Sequence, residues 1–147
     1  MDPHNRFHTR ASFRWARIES LVLMTLLIAL ALWHVREVDL LRFALAFAAI
    51  DVLGYIPGAM AYRRAGGRRI PAIYHTLYNV THSYTTAAVV IGVWWWLAGG
   101  LEWAMLALPI HLAGDRGVFG NVYKPRELPF EPRATPTSDA LEALEGR

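Results

Sequence analysis

The chain has no cysteine and a single lysine, Lys124, among its 147 residues. Without cysteine there is no disulfide and no thiolate metal ligand, and redox compartment goes unread. Charge is scarce as well. Asp, Glu, Lys and Arg make up 18% of the residues, against about a quarter in a soluble domain. The metal-binding patterns HExxH and ExxH are missing, and no internal repeat is present. Residues 1–14 are polar. The apolar stretch after them is too long for a signal peptide and no small-residue cleavage site follows it, so no cleavable leader is expected.

What the chain has in excess is apolar. Hydrophobic residues are 54% of the total and gather into long runs. Crossing a hydrocarbon layer of about 30 Å takes about 20 helical residues. Four segments qualify: residues 15–34, 40–62, 72–98 and 101–119, the last being the most polar. The expected fold is all-α, a polytopic membrane protein built as a bundle of four transmembrane helices. An N-terminal segment at 1–14 precedes the membrane domain at 15–123. A proline-rich, charged tail at 124–147 follows, in which Ser138 or Asp139 is suited to N-cap a short helix.

The charges orient this arrangement. Arg6, Arg10, Arg14 and Arg17 precede or open the first span. Arg63, Arg64, Arg68 and Arg69 lie between the second and third, and Lys124, Arg126 and Arg133 follow the fourth. The opposite loops hold Arg36 and Arg42, offset by Glu37 and Asp39, and then Glu102 alone. The positive-inside rule therefore puts both termini in the cytoplasm. An odd number of spans would strand one basic cluster outside. Trp33, Trp94, Trp95, Trp96 and Trp103 fall at the outer interface and Trp15 at the inner one, the headgroup level that amphipathic rings prefer. The net charge of +3 thus reads as membrane topology. The lipid bilayer is the expected partner and nucleic acid is not.

An ionisable side chain at the centre of a membrane helix costs about 2.5–3.5 kcal/mol, so such groups turn inward and find partners. The third span carries His75, Asn79 and His82 at offsets of four and three, on one face, with Tyr78 four residues before His82. The fourth carries His111 and Asp115 four apart, then Arg116. The second carries Asp51 near its middle with Tyr55 four residues on, and the first carries Glu19 in its opening turns. At about 1.5 Å per residue, Glu19, His75 and Asp115 are shallow and Asn79 is intermediate. Asp51, His82 and His111 lie near the midplane. The expectation is one polar column opening toward the cytoplasm.

Three readings fit these residues. In the first, His82 and His111 with Asp115 or Asp51 bind zinc, iron or manganese, and Glu19, His75 and Asn79 touch the metal or its ligands. In the second, the acids, histidines and Arg116 simply satisfy one another, although polar pairs between membrane helices return only about 0.6 kcal/mol each. In the third, they relay protons, or His82 and His111 hold a haem; charged neighbours speak against haem. Other features have plainer explanations. Gly54 and Gly58 form a small-xxx-small packing pattern, and Pro57 kinks the second helix about a turn past Asp51. The glycines at 114, 117 and 120 follow no strand and lack a GK[ST] ending, so they mark a helix terminus rather than a phosphate loop. His34 sits at the outer interface.

The segments RIES (17–20), IDVLGYIPG (50–58), LYNVTHSY (77–84) and HLAGDRGVFGNVYKP (111–125) resemble a family of small bacterial membrane proteins classed as a domain of unknown function. The resemblance covers residues 14–125. Its strongest pieces are YN..H.Y and the H...DR segment, with departures at Val118, Phe119 and Asn121–Val122. It implies a four-helix fold in a bacterial inner membrane, and site residues Glu19, Asp51, Gly54, Tyr55, Tyr78, Asn79, His82, Tyr84, His111, Asp115, Arg116 and Gly120. It implies no activity. The function expected is a buried polar site, metal-dependent, acting on an apolar or interfacial small molecule. His82, His111 and Asp115 serve there as ligands or acid–base groups, Asp51 and Asn79 orient them, and Tyr78 or Tyr84 donates hydrogen bonds. Hydrolysis and oxidation both stay open. The alternatives are a non-catalytic accessory subunit of a larger membrane complex, or a proton-coupled transporter acting as a dimer; the partners expected are such a complex or a homo-oligomer.

Overall fold

Two of the helices start where a side chain serves a free N–H of the first turn. The computed structural model describes residues 10–131 and is all-α. Sequence expectations at residues 1–9 and 132–147, including the helix capped by Ser138 or Asp139, lie outside the described residues. Helix α1 spans Arg10–Trp33. Helix α2 (Leu40–Leu53) begins at Asp39, whose carboxylate accepts a hydrogen bond from the Arg42 backbone N–H at 3.0 Å, the usual way of satisfying an orphan amide at a helix start. Helix α3 (Tyr55–Arg64) continues it after Gly54. The α2–α3 rod and α1 are each long and apolar enough to cross a membrane.

The other two expected spans are interrupted. The third divides into α4 (Ala72–Thr81) and α5 (Tyr84–Ala98). Thr81 turns its hydroxyl back onto the Leu77 and Tyr78 carbonyls, both at 3.0 Å, and Ser83 caps the restart through the Thr85 N–H at 3.2 Å. The fourth is assembled from a 3₁₀ turn at Trp103–Leu106, helix α6 (Ala107–Gly114) and a π-helical turn at Asp115–Phe119. Continuous apolar length therefore distinguishes only two of the four segments.

Neighbouring segments alternate in direction. Arg17 near the start of α1 donates to the Gly117 carbonyl at 3.1 Å, and His34 beyond its end stacks on Trp103 at 3.7 Å. Arg42 pairs with Glu102, and Phe47 lies edge-on to His111 at 4.6 Å, so α2 runs with the fourth segment. Helix α6 is the hub. Ala107, Leu108, Ile110, His111, Leu112 and Ala113 are all buried. Protein surrounds His111, the polar residue within α6, whereas Asp115 and Arg116 beyond it stay partly exposed. Helix α1 is the opposite case. None of its residues is buried. Arg17, Ser20, Met24, Leu27, Ala31 and His34 are half-buried at steps of three and four, one narrow seam against α6 and the π turn. Its open side is apolar, with Leu26 and Leu32 each 63% exposed. A water-facing helix carries polar residues there.

The two interrupted rods meet at their breaks. A Cβ at Gly54 would lie 1.9 Å from the Thr81 hydroxyl and 3.1 Å from His82 Cε1. The kink lies one turn ahead of Pro57, where a proline ring meets the carbonyl four residues back. Gly54→Ala should therefore lower the melting temperature of the detergent-solubilised protein, by about 1–3 kcal/mol of stability for overpacking. Gly92→Ala is the control. Nothing lies within 4 Å of a Cβ there, and the melt should hold or rise.

Candidate metal centre

Each helix break brings a polar side chain to the middle of the assembly. His82 closes α4, and its backbone N–H bonds the Tyr78 carbonyl at 2.9 Å. Its ring Nδ1–H donates to the same carbonyl at 3.0 Å, with the Thr81 hydroxyl also 3.0 Å from that nitrogen. The Tyr78 ring stacks on the imidazole at 3.8 Å. These contacts hold the tautomer that leaves a lone pair on Nε2, as the outer partners of a metal-ligating histidine do.

That lone pair faces two carboxylates. His82 Nε2 lies 3.4 Å from Asp51 Oδ1 and 3.3 Å from Asp115 Oδ2. His111 Nε2 lies 3.7 Å from each of the same oxygens. The ligand atoms of Asp51, His82 and His111 are all within 4.8 Å of one another; Asp115 stands outside that mutual set but approaches both nitrogens. His82 and His111 are 2% and 5% exposed, yet neither Nε2 has a hydrogen-bond partner among the described residues. Asp51 keeps 45% of its side chain exposed, against 17% for Asp115, so the site opens on the α2 side.

Two magnitudes decide how to read these gaps. Charge-assisted N–H···O bonds draw in to about 2.7–2.9 Å, and every gap here is wider. A tetrahedral ion with metal–nitrogen bonds of about 2.0–2.1 Å separates its ligand atoms by about 3.3 Å. The four nitrogen–oxygen gaps sit close to that edge length. Two carboxylates and two neutral imidazoles also carry the charge that one divalent cation cancels. Haem does not fit: the Asp51 and Asp115 carboxylates lie within 3.7 Å of both Nε2 atoms, in the space a macrocycle needs.

The remaining residues of the expected column lie elsewhere. Glu19 is exposed on α1 and makes no contact with the cluster. Arg116 donates to the His82 carbonyl at 3.4 Å and lies over the Tyr84 ring at 4.1 Å; both flank the cluster without supplying a ligand atom. His75 and Asn79 grip the chain after the fourth segment instead of a metal. Asn79 accepts from the Lys124 N–H at 2.7 Å and donates to the Lys124 carbonyl at 3.0 Å. His75 Nε2–H reaches the Leu128 carbonyl at 3.3 Å. His75, Asn79 and His82 share a face of α4 as spaced, but residues 124–131 cover its earlier turns and only His82 reaches the carboxylates.

Residues 124–131, assigned by sequence to the tail, form a plug between α3 and α4. Phe130 is wholly buried among Ala59, Tyr62 and Tyr78. It sits where a Cβ on Gly58 would lie, 2.2 Å from the ring. Tyr55 donates to the Glu131 carboxylate at 2.6 Å, and Lys124 Nζ donates to the Phe130 carbonyl at 2.6 Å. Phe130 and Thr81 are the contributors that sequence reasoning missed. The only signal was one aromatic residue between two prolines.

Burial pushes the Lys124 ammonium below the ordinary lysine value, with Glu131 and Asp115 pulling the other way. The folded state thus binds this proton less tightly than the unfolded chain. The penalty is complete below the depressed value and gone above the ordinary one, so this group makes stability rise with pH across that alkaline window. Lys124→Met should flatten the rise in a series of melts at increasing pH.

The chain matches no protein family, no curated protein and no solved structure. The site is read from its own geometry.

Proposed function

We propose that this chain is a four-span integral membrane protein that binds a divalent transition metal through Asp51, His82, His111 and Asp115, and that acts there on an apolar or interfacial small molecule. One observation carries the reading. Two buried imidazole nitrogens, with no hydrogen-bond partner among the described residues, face two carboxylate oxygens at separations close to a tetrahedral edge. Mixed nitrogen and oxygen ligands suit zinc, iron or manganese. A neutral complex also suits surroundings in which isolated charges are expensive. Four protein ligands fill a tetrahedral shell, so action on a substrate requires a fifth coordination position, reached from the half-exposed side of Asp51. The proposal includes membership of the small bacterial four-helix family and an inner-membrane location.

Elemental analysis of the detergent-purified protein tests the metal. About one equivalent of zinc, iron or manganese per chain is expected. Metal-free protein that takes up none on titration overturns the reading and leaves the polar residues a structural role, as in an accessory subunit. Topology is tested separately, because the chain has no cysteine of its own. Gly100→Cys, in open space, should react with an impermeant maleimide from outside intact cells. Arg68→Cys should react only after lysis. The same side for both refutes the four-span arrangement.

A further inference from the structure

Apart from the metal cluster, a cleft of about 290 Å³ opens between α1 and the start of α5. Phe13, Leu23 and Val122 give it an apolar wall, and Arg17, Arg116 and Glu19 give it charge. Both arginines are held. Arg17 donates from Nε to the Gly117 carbonyl at 3.1 Å and from a terminal nitrogen to the Val118 carbonyl at 2.9 Å. Arg116 lies over the Tyr84 ring at 4.1 Å and uses one terminal nitrogen on the His82 carbonyl. A guanidinium has five N–H donors, so both keep donors to spare in fixed positions. Glu19 is exposed and makes no hydrogen bond or ion pair with a described residue.

Two anchored guanidinium groups bind a phosphate diester well, because the planar fork matches its oxygens and its position is set before binding. A solitary carboxylate beside them repels a second anion and attracts an ammonium. An apolar helix surface runs away from the cleft, with Val22 53% and Leu26 63% exposed. We infer that the cleft binds an amine-bearing zwitterionic phospholipid. Its phosphate sits between Arg17 and Arg116, its ammonium on Glu19, and an acyl chain along α1. The inference rests on the membrane part of the proposed function and not on the metal.

Native mass spectrometry of the full, delipidated chain in detergent tests it, with phosphatidylethanolamine, phosphatidylglycerol, diacylglycerol and free phosphoethanolamine added in turn. Phosphatidylethanolamine should be retained about 10-fold better than the other three, the worth of one charge-assisted contact. Glu19→Gln, an exposed change that leaves packing alone, should erase the advantage over phosphatidylglycerol. Arg116→Gln should weaken both phospholipids. Equal retention of the two phospholipids by the unaltered chain overturns the inference, as does an advantage that survives Glu19→Gln. Free phosphoethanolamine binding as well as the lipid overturns the lipid as occupant. The two failures are separable. A chain that stays in solution without detergent refutes the membrane reading, whereas one that needs detergent and shows no lipid preference refutes only this cleft.

Discussion

His82→Ala should lower metal affinity by at least about 100-fold, beyond the range seen when a ligand's outer partner alone is removed. The side chain supplies Nε2 at 3.3 and 3.4 Å from the two carboxylates, and nothing else among the described residues offers a lone pair from that side. The loss should come with a second effect. The apo variant should also melt below the apo parent, because a buried ring stacked on Tyr78 is lost, and the metal-dependent rise in melting temperature should disappear. That rise follows the binding of a ligand to the folded state only, about 2.7 kcal/mol at a hundred times the dissociation constant. Thr81→Val is the graded companion. It removes a hydroxyl 3.0 Å from His82 Nδ1 while keeping the ligand, and should cost about 10-fold in affinity. Metal titration followed by calorimetry reads both. Unchanged binding in His82→Ala would remove the imidazole from the site.

Phe130→Ala should destabilise the protein by about 3–5 kcal/mol, the usual range for a fully buried phenylalanine. The ring fills a space bounded by Tyr62, Tyr78 and Ala59, with His75 edge-on at 5.4 Å. Nothing nearby is small and mobile enough to collapse into the hole. The loss should also be local in character. Residues 124–131 are tied down by the Asn79 clamp and by Tyr55, so hydrogen exchange should rise first there and at the α4 amides beneath. Exchange confined to α1 would show that the plug does not depend on this ring. Because Tyr78 touches both Phe130 and His82, the same variant should weaken metal binding modestly, by less than the direct loss of a ligand.

Helical spacing made part of the centre legible. His111 and Asp115 at four residues apart do face a common point, as expected for one face of a helix. Depth counted along each span brought Asp51, His82 and His111 to one level, and the structure brings those three together. The same count set His75 shallow and Asn79 between, in one column with them, whereas the structure gives both to residues 124–131. Spacing fixes the shared face of α4 but not which neighbour packs along each of its turns. Glu19 failed for another reason. A residue on α1 needs only one seam of that helix to face the core, and periodicity alone does not say which polar residue lies off the seam.

Composition and order along the chain determined by themselves that the protein is helical and which few polar residues must find partners; they pointed to four spans, of which the structure has two helices long and apolar enough to cross a membrane. These follow from local rules: hydrogen bonding within a segment, the cost of exposing backbone to an apolar solvent, and the sparseness of charge. Only the tertiary structure decided which of those residues meet, where the helices break, and that a phenylalanine beyond the last helix returns to pack between α3 and α4. Those outcomes depend on contacts between positions about 30 to 75 residues apart. Such contacts are set by the fit of Gly54 against Thr81 and of Gly58 against Phe130, and no property of either partner alone records that fit.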